Sequence, residues 1–152
     1  MLVLSGCDRR ETQETAPASA FRHELSGDVS GEYRPVGEGA GPWRVESLFV
    51  GQASAFLTWE AGGRSAAPLI LTLTGPDGTV RVTPDAYVVT DDSLRFSGRA
   101  ANGDKVTVQA RLDQGALATA RRNLGDQTPV ITGAASVAGQ GVPFSLARWG
   151  GD

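Results

Sequence analysis

The sequence predicts an all-β fold: one antiparallel domain over residues 21–150, built as an up-and-down β-barrel of about 8–10 strands. Three observations predict it. Lys105–Leu112 alternates polar and apolar residues without a break, the period of a strand with one buried face. Turn sequences recur at short intervals: Gly75-Pro76-Asp77-Gly78, Ala101-Asn102-Gly103-Asp104 and Gly139-Gln140-Gly141. The 20 glycines are scattered without a collagen period, which favours many short elements over a few long helices. A two-layer β-sandwich is the alternative; the barrel is preferred because a meander closes without leaving long exposed edges.

Taken in order, Leu25–Tyr33 and Trp43–Val50 read as strands, separated by the Gly-rich run Gly37–Pro42. Ser54–Glu60 reads as another strand, with a helical turn inside Ser47–Trp59 as the competing reading. Pro68–Thr74 and Thr79–Thr83 form a hairpin, since Pro76 pre-sets one turn dihedral and Gly78 supplies the other. Pro84 interrupts, and Ala86–Thr90 resumes before an Asp91-Asp92-Ser93 turn. Ser93–Ala100 and Lys105–Leu112 pair across Asn102-Gly103, a dipeptide suited to the positive φ of a tight hairpin. Ala116–Leu124 is read as a strand by spacing, against the helix preference of its Ala, Leu and Arg residues. Pro129–Val137 and Val142–Trp149 complete the set, and Pro143, lacking an N–H, belongs at a strand start or on an edge. Gly98, Ala100, Ala110 and Gly133 fall at inward positions, which suits either a tapering packed interior or a small cavity.

Composition limits the functional classes. A chain of 152 residues fits one domain, and 40% hydrophobic with 20% charged residues supports a packed core. A net charge of -3 argues against nucleic acid as a partner, because binding it requires a basic face. Arg121-Arg122 is the only basic pair outside the N-terminal tail and reads as a solvated strand or turn. The single cysteine excludes an intrachain disulfide and a cysteine-rich zinc site, and no metal or cofactor is expected.

That cysteine stands in Leu4-Ser5-Gly6-Cys7, an apolar residue and two small residues before Cys. The motif resembles the lipobox of bacterial lipoproteins. The resemblance implies cleavage after Gly6 and lipid attachment at Cys7, with two or more acyl chains giving a stable anchor. It makes residues 1–6 a signal-peptide remnant and residues 7–20 the lipidated cysteine and a flexible tether. Such signals carry a basic n-region and about 7–15 apolar residues before the box. Only Leu2, Val3 and Leu4 precede Ser5-Gly6-Cys7, so either translation starts upstream of Met1 or the match is coincidental. The polar segment Asp8–Ala20 has few bulky apolar residues to offset chain entropy, and as a coil it would hold the domain about 20 Å from a bilayer. Asp8 resembles the residue that retains some enterobacterial lipoproteins in the inner membrane, but that rule varies, so inner and outer membrane stay undecided. The expected location is the periplasmic face of a bacterial membrane, with no apolar run long enough to span it.

No residue set specifies a reaction, so the chain is not expected to be an enzyme. His23, the only histidine, directly follows the tether, an improbable place for a catalytic base. A metal site from His23, Asp91 and Asp92 is no better, because adjacent strand-end residues point apart. Gly37–Gly41 lacks the Lys-Ser/Thr ending of a phosphate loop. Glu46 and Glu60 would make a paired-carboxylate site only if their strands adjoin. The aromatics offer more: Trp43, Trp59 and Trp149 with Tyr33 and Tyr87 could line a barrel mouth that takes an apolar or sugar-like ligand, against the alternative of core packing. The first functional expectation is a non-enzymatic, lipid-anchored envelope module binding a protein partner or envelope component. A small apolar-ligand carrier, resembling lipocalin or avidin barrels in topology only, is second. An inhibitor of an envelope hydrolase is a special case of the first.

Overall fold

A computed structural model describes residues 20–150 apart from 38 and 40, so the Leu4–Cys7 motif and residues 8–19 of the tether lie outside the described residues. The chain order is β1 (Phe21–Glu24), β2 (Gly31–Pro35), β3 (Arg44–Val50), α1 (Ala53–Glu60), β4 (Leu69–Gly75), β5 (Gly78–Thr90), β6 (Ser93–Ala100), β7 (Lys105–Leu112), α2 (Gln114–Arg122), β8 (Ile131–Val137) and β9 (Gln140–Arg148). Strands β2 to β9 pair antiparallel with their sequence neighbours, and β2 pairs with β9, so eight strands close into an up-and-down barrel. β1 is the extra strand. It lies parallel to the upper half of β5, Phe21 opposite Tyr87 and Glu24 opposite Thr90.

Alternation decides which side chains enter the barrel. Leu48, Leu71, Leu73, Val82, Leu94, Val106, Ile131, Val137 and Leu146 are fully buried, while the residues between them face out. Consecutive strands run in opposite senses, so connections alternate between the two ends. The β3–β4 and β7–β8 connections carry α1 and α2, which places both helices at one end. The opposite end holds the β4–β5, β6–β7 and β8–β9 turns and the longer β2–β3 loop.

Several sequence expectations are corrected. Ser54–Glu60 lies in a helix, not a strand: Phe56 and Trp59, three residues apart, bury on one side of α1. Its end is fixed by Gly62 (φ 109°), whose N–H donates to Trp59 O while that of Gly63 donates to Thr58 O. Ala116–Leu124, read as a strand, instead falls largely in the helix α2, Gln114–Arg122. Asp113 caps it by accepting from Ala116 N at 2.9 Å, Arg121 and Arg122 sit in the last turn, and Ala116, Leu117 and Ala120 are buried. The helix preference of that composition outweighed a spacing that fits either period. Leu25–Tyr33 is not one strand either. Pairing breaks over 25–30, where Asp28 accepts from Ser30 N at 3.0 Å in place of a ladder bond. Conversely, Pro84 does not end a strand: β5 runs through it with a register shift between Pro84 and Ala86.

The small inward residues are explained by curvature. A Cβ on Gly98 would fall 2.1 Å from Thr83 O, and one on Gly133 would fall 2.1 Å from Gln109 O. Neighbouring backbone fills both Cβ positions, so the glycines mark sharp bends of the barrel wall.

Candidate functional site

Two features bring chemistry-bearing residues together, one at each end of the barrel. The first is a seam. β2 pairs with β3 only from Gly31–Val50 to Tyr33–Leu48, and with β9 only from Tyr33–Arg148 to Pro35–Leu146. One further bond, Val36 N to Ser145 O at 2.9 Å, ends that contact. Below it, β3 over Arg44–Ser47 and β9 over Gln140–Phe144 face each other without a strand between them. Pro35 ends the ladder of β2, and Pro143 lies where β9 pairs with β8 but has no strand on its other side, consistent with its expected place on an edge.

The gap opens a cavity of about 430 Å³ through the barrel wall. Its apolar lining combines the inward-facing Val45, Val142 and Phe144 with Pro35, Val36 and Trp43. Thr132, Ser145 and Arg44 add polar groups. Trp43 is held by the absence of a side chain at Gly75, where a Cβ would lie 2.5 Å from its Cζ3. Glu46, the extra residue at the β3 register shift, is occupied: it accepts from Thr74 Oγ1 at 2.7 Å and from Arg44 at 2.9 Å. The Thr74 hydroxyl and then the Arg44 guanidinium hold its carboxyl below the ordinary range.

The second feature plugs the helical end. Phe21 on β1 lies 5.3 Å from Tyr87 and 6.1 Å from Trp59, and Phe56 stands edge-on to Tyr87 at 5.4 Å. Full burial of Phe56 alone stabilises by roughly 1.5–3 kcal/mol. Glu60 Oε2 accepts from the Tyr87 hydroxyl at 2.7 Å and meets His23 Nδ1 at 2.8 Å. Burial, followed by donation to Glu60 and the Glu60 charge, pushes the Tyr87 phenol well above its ordinary range. Arg64 covers the cluster, its guanidinium 4.3 Å from the Trp59 ring, and donates to Trp59 O at 2.6 Å. The carboxylate thus ties β1, α1 and β5 together. Among the described residues His23 makes no hydrogen bond to a hydroxyl; its Nδ1 meets Glu60.

The five aromatics singled out by sequence do not gather at one mouth. Trp59 and Tyr87 belong to the plug and Trp43 to the seam. Tyr33 is fully buried, donates to Val29 O at 2.6 Å, and has its phenol pushed up to about 12 by that burial. Trp149 lies on the outer wall with the Arg34 guanidinium 3.6 Å over its ring. Glu46 and Glu60 sit at opposite ends, Glu60 on a helix. Asp91 accepts from Ser26 N and Oγ, both at 2.8 Å, and Asp92 accepts from Thr90, while His23 turns to Glu60. No group of three metal-ligating side chains occurs among the described residues.

Sequence reading missed Val45, Val142 and Phe144 as partners of Trp43. The available signal was the facing prolines, Pro35 and Pro143, which mark where a ladder cannot continue. Comparisons with family models, curated proteins and solved structures return no match.

Proposed function

We propose that this chain is a non-enzymatic, lipid-anchored envelope barrel that binds a small apolar molecule in the seam between β3 and β9. The carrying observation is the cavity of about 430 Å³, lined by Trp43, Phe144 and Val142 and open through the wall. Its size falls in the range of small-molecule sites, roughly 300–1,000 Å³, and it combines apolar walls with a few polar groups, as such sites do. Trp43 and Phe144 supply flat apolar faces, Thr132 and Ser145 supply hydroxyls for orientation, and Arg44 tolerates a carboxylate at the ligand's end. The Leu4–Cys7 motif supports the anchor, and through it the periplasmic location.

A second reading, docking of an envelope protein, is favoured by a row on the outer wall. Phe49, 41% exposed, pairs with Ile70 on one side and Glu32 on the other, and Trp149, 40% exposed, donates its N–H to Glu32 O. The small-ligand reading ranks first because a concave site of ligand size accompanies it.

The test titrates the full chain with the apolar fluorophore 1-anilinonaphthalene-8-sulfonate and compares Val36→Arg, which places a charge on the exposed rim without entering the core. Saturable binding at one site, lost in the variant at unchanged melting temperature, supports the reading. No saturable binding, or equal binding by the variant, refutes it. The anchor is checked separately by metabolic labelling with an alkynyl fatty acid: label on the wild-type chain, and none on Cys7→Ser, is expected.

A further inference from the structure

The outer faces of β1, β5, β6 and β7 form one wall on which the cations concentrate. Outward strand positions there carry Arg22, Arg81, Arg95, Arg99, Lys105 and Arg111, all exposed, against the two strand carboxylates Glu24 and Asp85. The turns at the ends of these strands add Asp77, Asp91, Asp92 and Asp104, so the excess of cations belongs to the strand faces, in a chain whose net charge is -3. The neighbouring wall of β8 and β9 is uncharged along Thr132, Ala134, Ser136, Pro143 and Ser145. Among the described residues none of the six cations enters an ion pair, whereas Arg34, Arg44 and Arg121 each do.

Two placements set these cations apart from charges that serve the fold. Arg99 and Lys105 are direct cross-strand partners, a like-charge pair that weakens the hairpin it sits in. Arg99 relieves it only by donating to Gly103 O at 3.2 Å. Between Arg95 and the bulge at Pro84–Ala86 the wall also dips into a depression of about 370 Å³, with Ser97, Thr107 and Gln109 in its lining. Arg95 and the two hydroxyls stand beside apolar Ala86 and Val88 there, so a cation able to meet a phosphate ester borders a shallow, mostly apolar floor. Ala20, the first described residue, lines the same depression. The described chain therefore begins on the cationic wall, at Ala20.

We infer that the β5–β7 wall is a membrane-facing surface that rests on the anionic phospholipid headgroups of the bilayer to which the chain is tethered. Charge complementarity and the point where the tether joins select this occupant. The orientation it gives the barrel rests on the lipid-anchor reading, but the surface's affinity for headgroups does not. It leaves the seam cavity, formed by β3 and β9, away from the headgroups.

Unacylated full-length Cys7→Ser chain is floated with phosphatidylcholine vesicles and with vesicles containing phosphatidylglycerol. The expected result is binding to the anionic vesicles only, at about 0.1 M salt and lost near 1 M, as the Debye length falls from about 10 to about 3 Å. Each surface cation contributes about fivefold in partitioning. The triple variant Arg95→Gln/Arg99→Gln/Lys105→Gln should therefore lose at least about tenfold, while Arg34→Gln/Arg121→Gln/Arg122→Gln loses less than about threefold. Equal loss by the two triples, absence of binding to anionic vesicles, or equal binding to phosphatidylcholine overturns the inference. So does selective loss, in the wall triple, of binding to a soluble anionic glycan with vesicle binding intact. A failure here leaves fluorophore binding at the seam untouched, so the two readings fall separately.

Discussion

Replacing Gly98 by Ala tests whether the barrel bends where its glycines stand. The added methyl would lie 2.1 Å from Thr83 O, 3.0 Å from Val82 Cγ1 and 3.1 Å from Thr83 C. A carbon and a carbonyl oxygen ordinarily approach no closer than about 3.3 Å. One atom must therefore move by roughly 1 Å, and the nearest obstacle is backbone at the β5 bulge, which no rotamer change relieves. Overpacking of this kind costs about 1–3 kcal/mol or somewhat more, and the methyl's effect on the unfolded chain offsets about 0.4–1 kcal/mol. The net expectation is a loss of about 2 kcal/mol, read as a drop of roughly 5–10 °C in melting temperature and a lower urea midpoint at constant m. Gly133→Ala should behave alike, its methyl lying 2.6 Å from Ala110 Cα as well as against Gln109 O. Gly141→Ala is the control, since nothing lies within 4 Å of a Cβ there. If Gly98→Ala melts no lower than Gly141→Ala, the close approach of strands inferred at the bend is wrong.

Ala138 is the only non-glycine with positive φ among the described residues, at 51°, beside Gly139 at 85° in the β8–β9 turn. Ala138→Asn should stabilise by about 1 kcal/mol in the same melts, because Asn accepts that conformation more readily. Tyr33 predicts an alkaline limb. Its phenol is raised from 10.0 to about 12, so the folded state holds the proton longer and stability falls as pH rises across that window, by roughly 2–3 kcal/mol in all. Tyr33→Phe should cost about 1 kcal/mol at neutral pH through the lost Val29 bond and flatten the decline between pH 10 and 12, measured by urea midpoints. Glu60→Ala strands the Tyr87 hydroxyl and His23. It should cost about 1–3 kcal/mol and speed hydrogen exchange at the Tyr87 amide, which bonds Ala20 O, more than at Val108.

Legibility followed how much each signal was local. β6 and β7 were readable because an unbroken alternation meets a two-residue turn; the observed register, from Ser93–Arg111 to Arg99–Lys105, repeats what the pattern implies. α1 and α2 were misread because eight or nine residues with two or three buried side chains fit either period, and their caps at Asp113 and Gly62 outweigh the spacing. The site was less legible still. Trp43 was selected as an aromatic, but the cavity beside it exists because β2 stops at Pro35, and its facing wall comes from residues about 100 positions later in the chain. The choice of barrel over sandwich likewise depended on one long-range pairing, β2 with β9, that no window of sequence contains.

That pairing, with its abrupt end, is the claim on which barrel, seam and ligand site all depend. Cross-strand backbone NOEs measured on the full chain test it directly. The account predicts contacts joining Tyr33 to Arg148 and Pro35 to Leu146, and none from the Arg44–Ser47 segment through an intervening strand to Gly141–Phe144. Missing contacts at Tyr33–Arg148 would leave one unclosed eight-stranded sheet in place of the barrel, and contacts continuing past Val36 along β9 would close the seam.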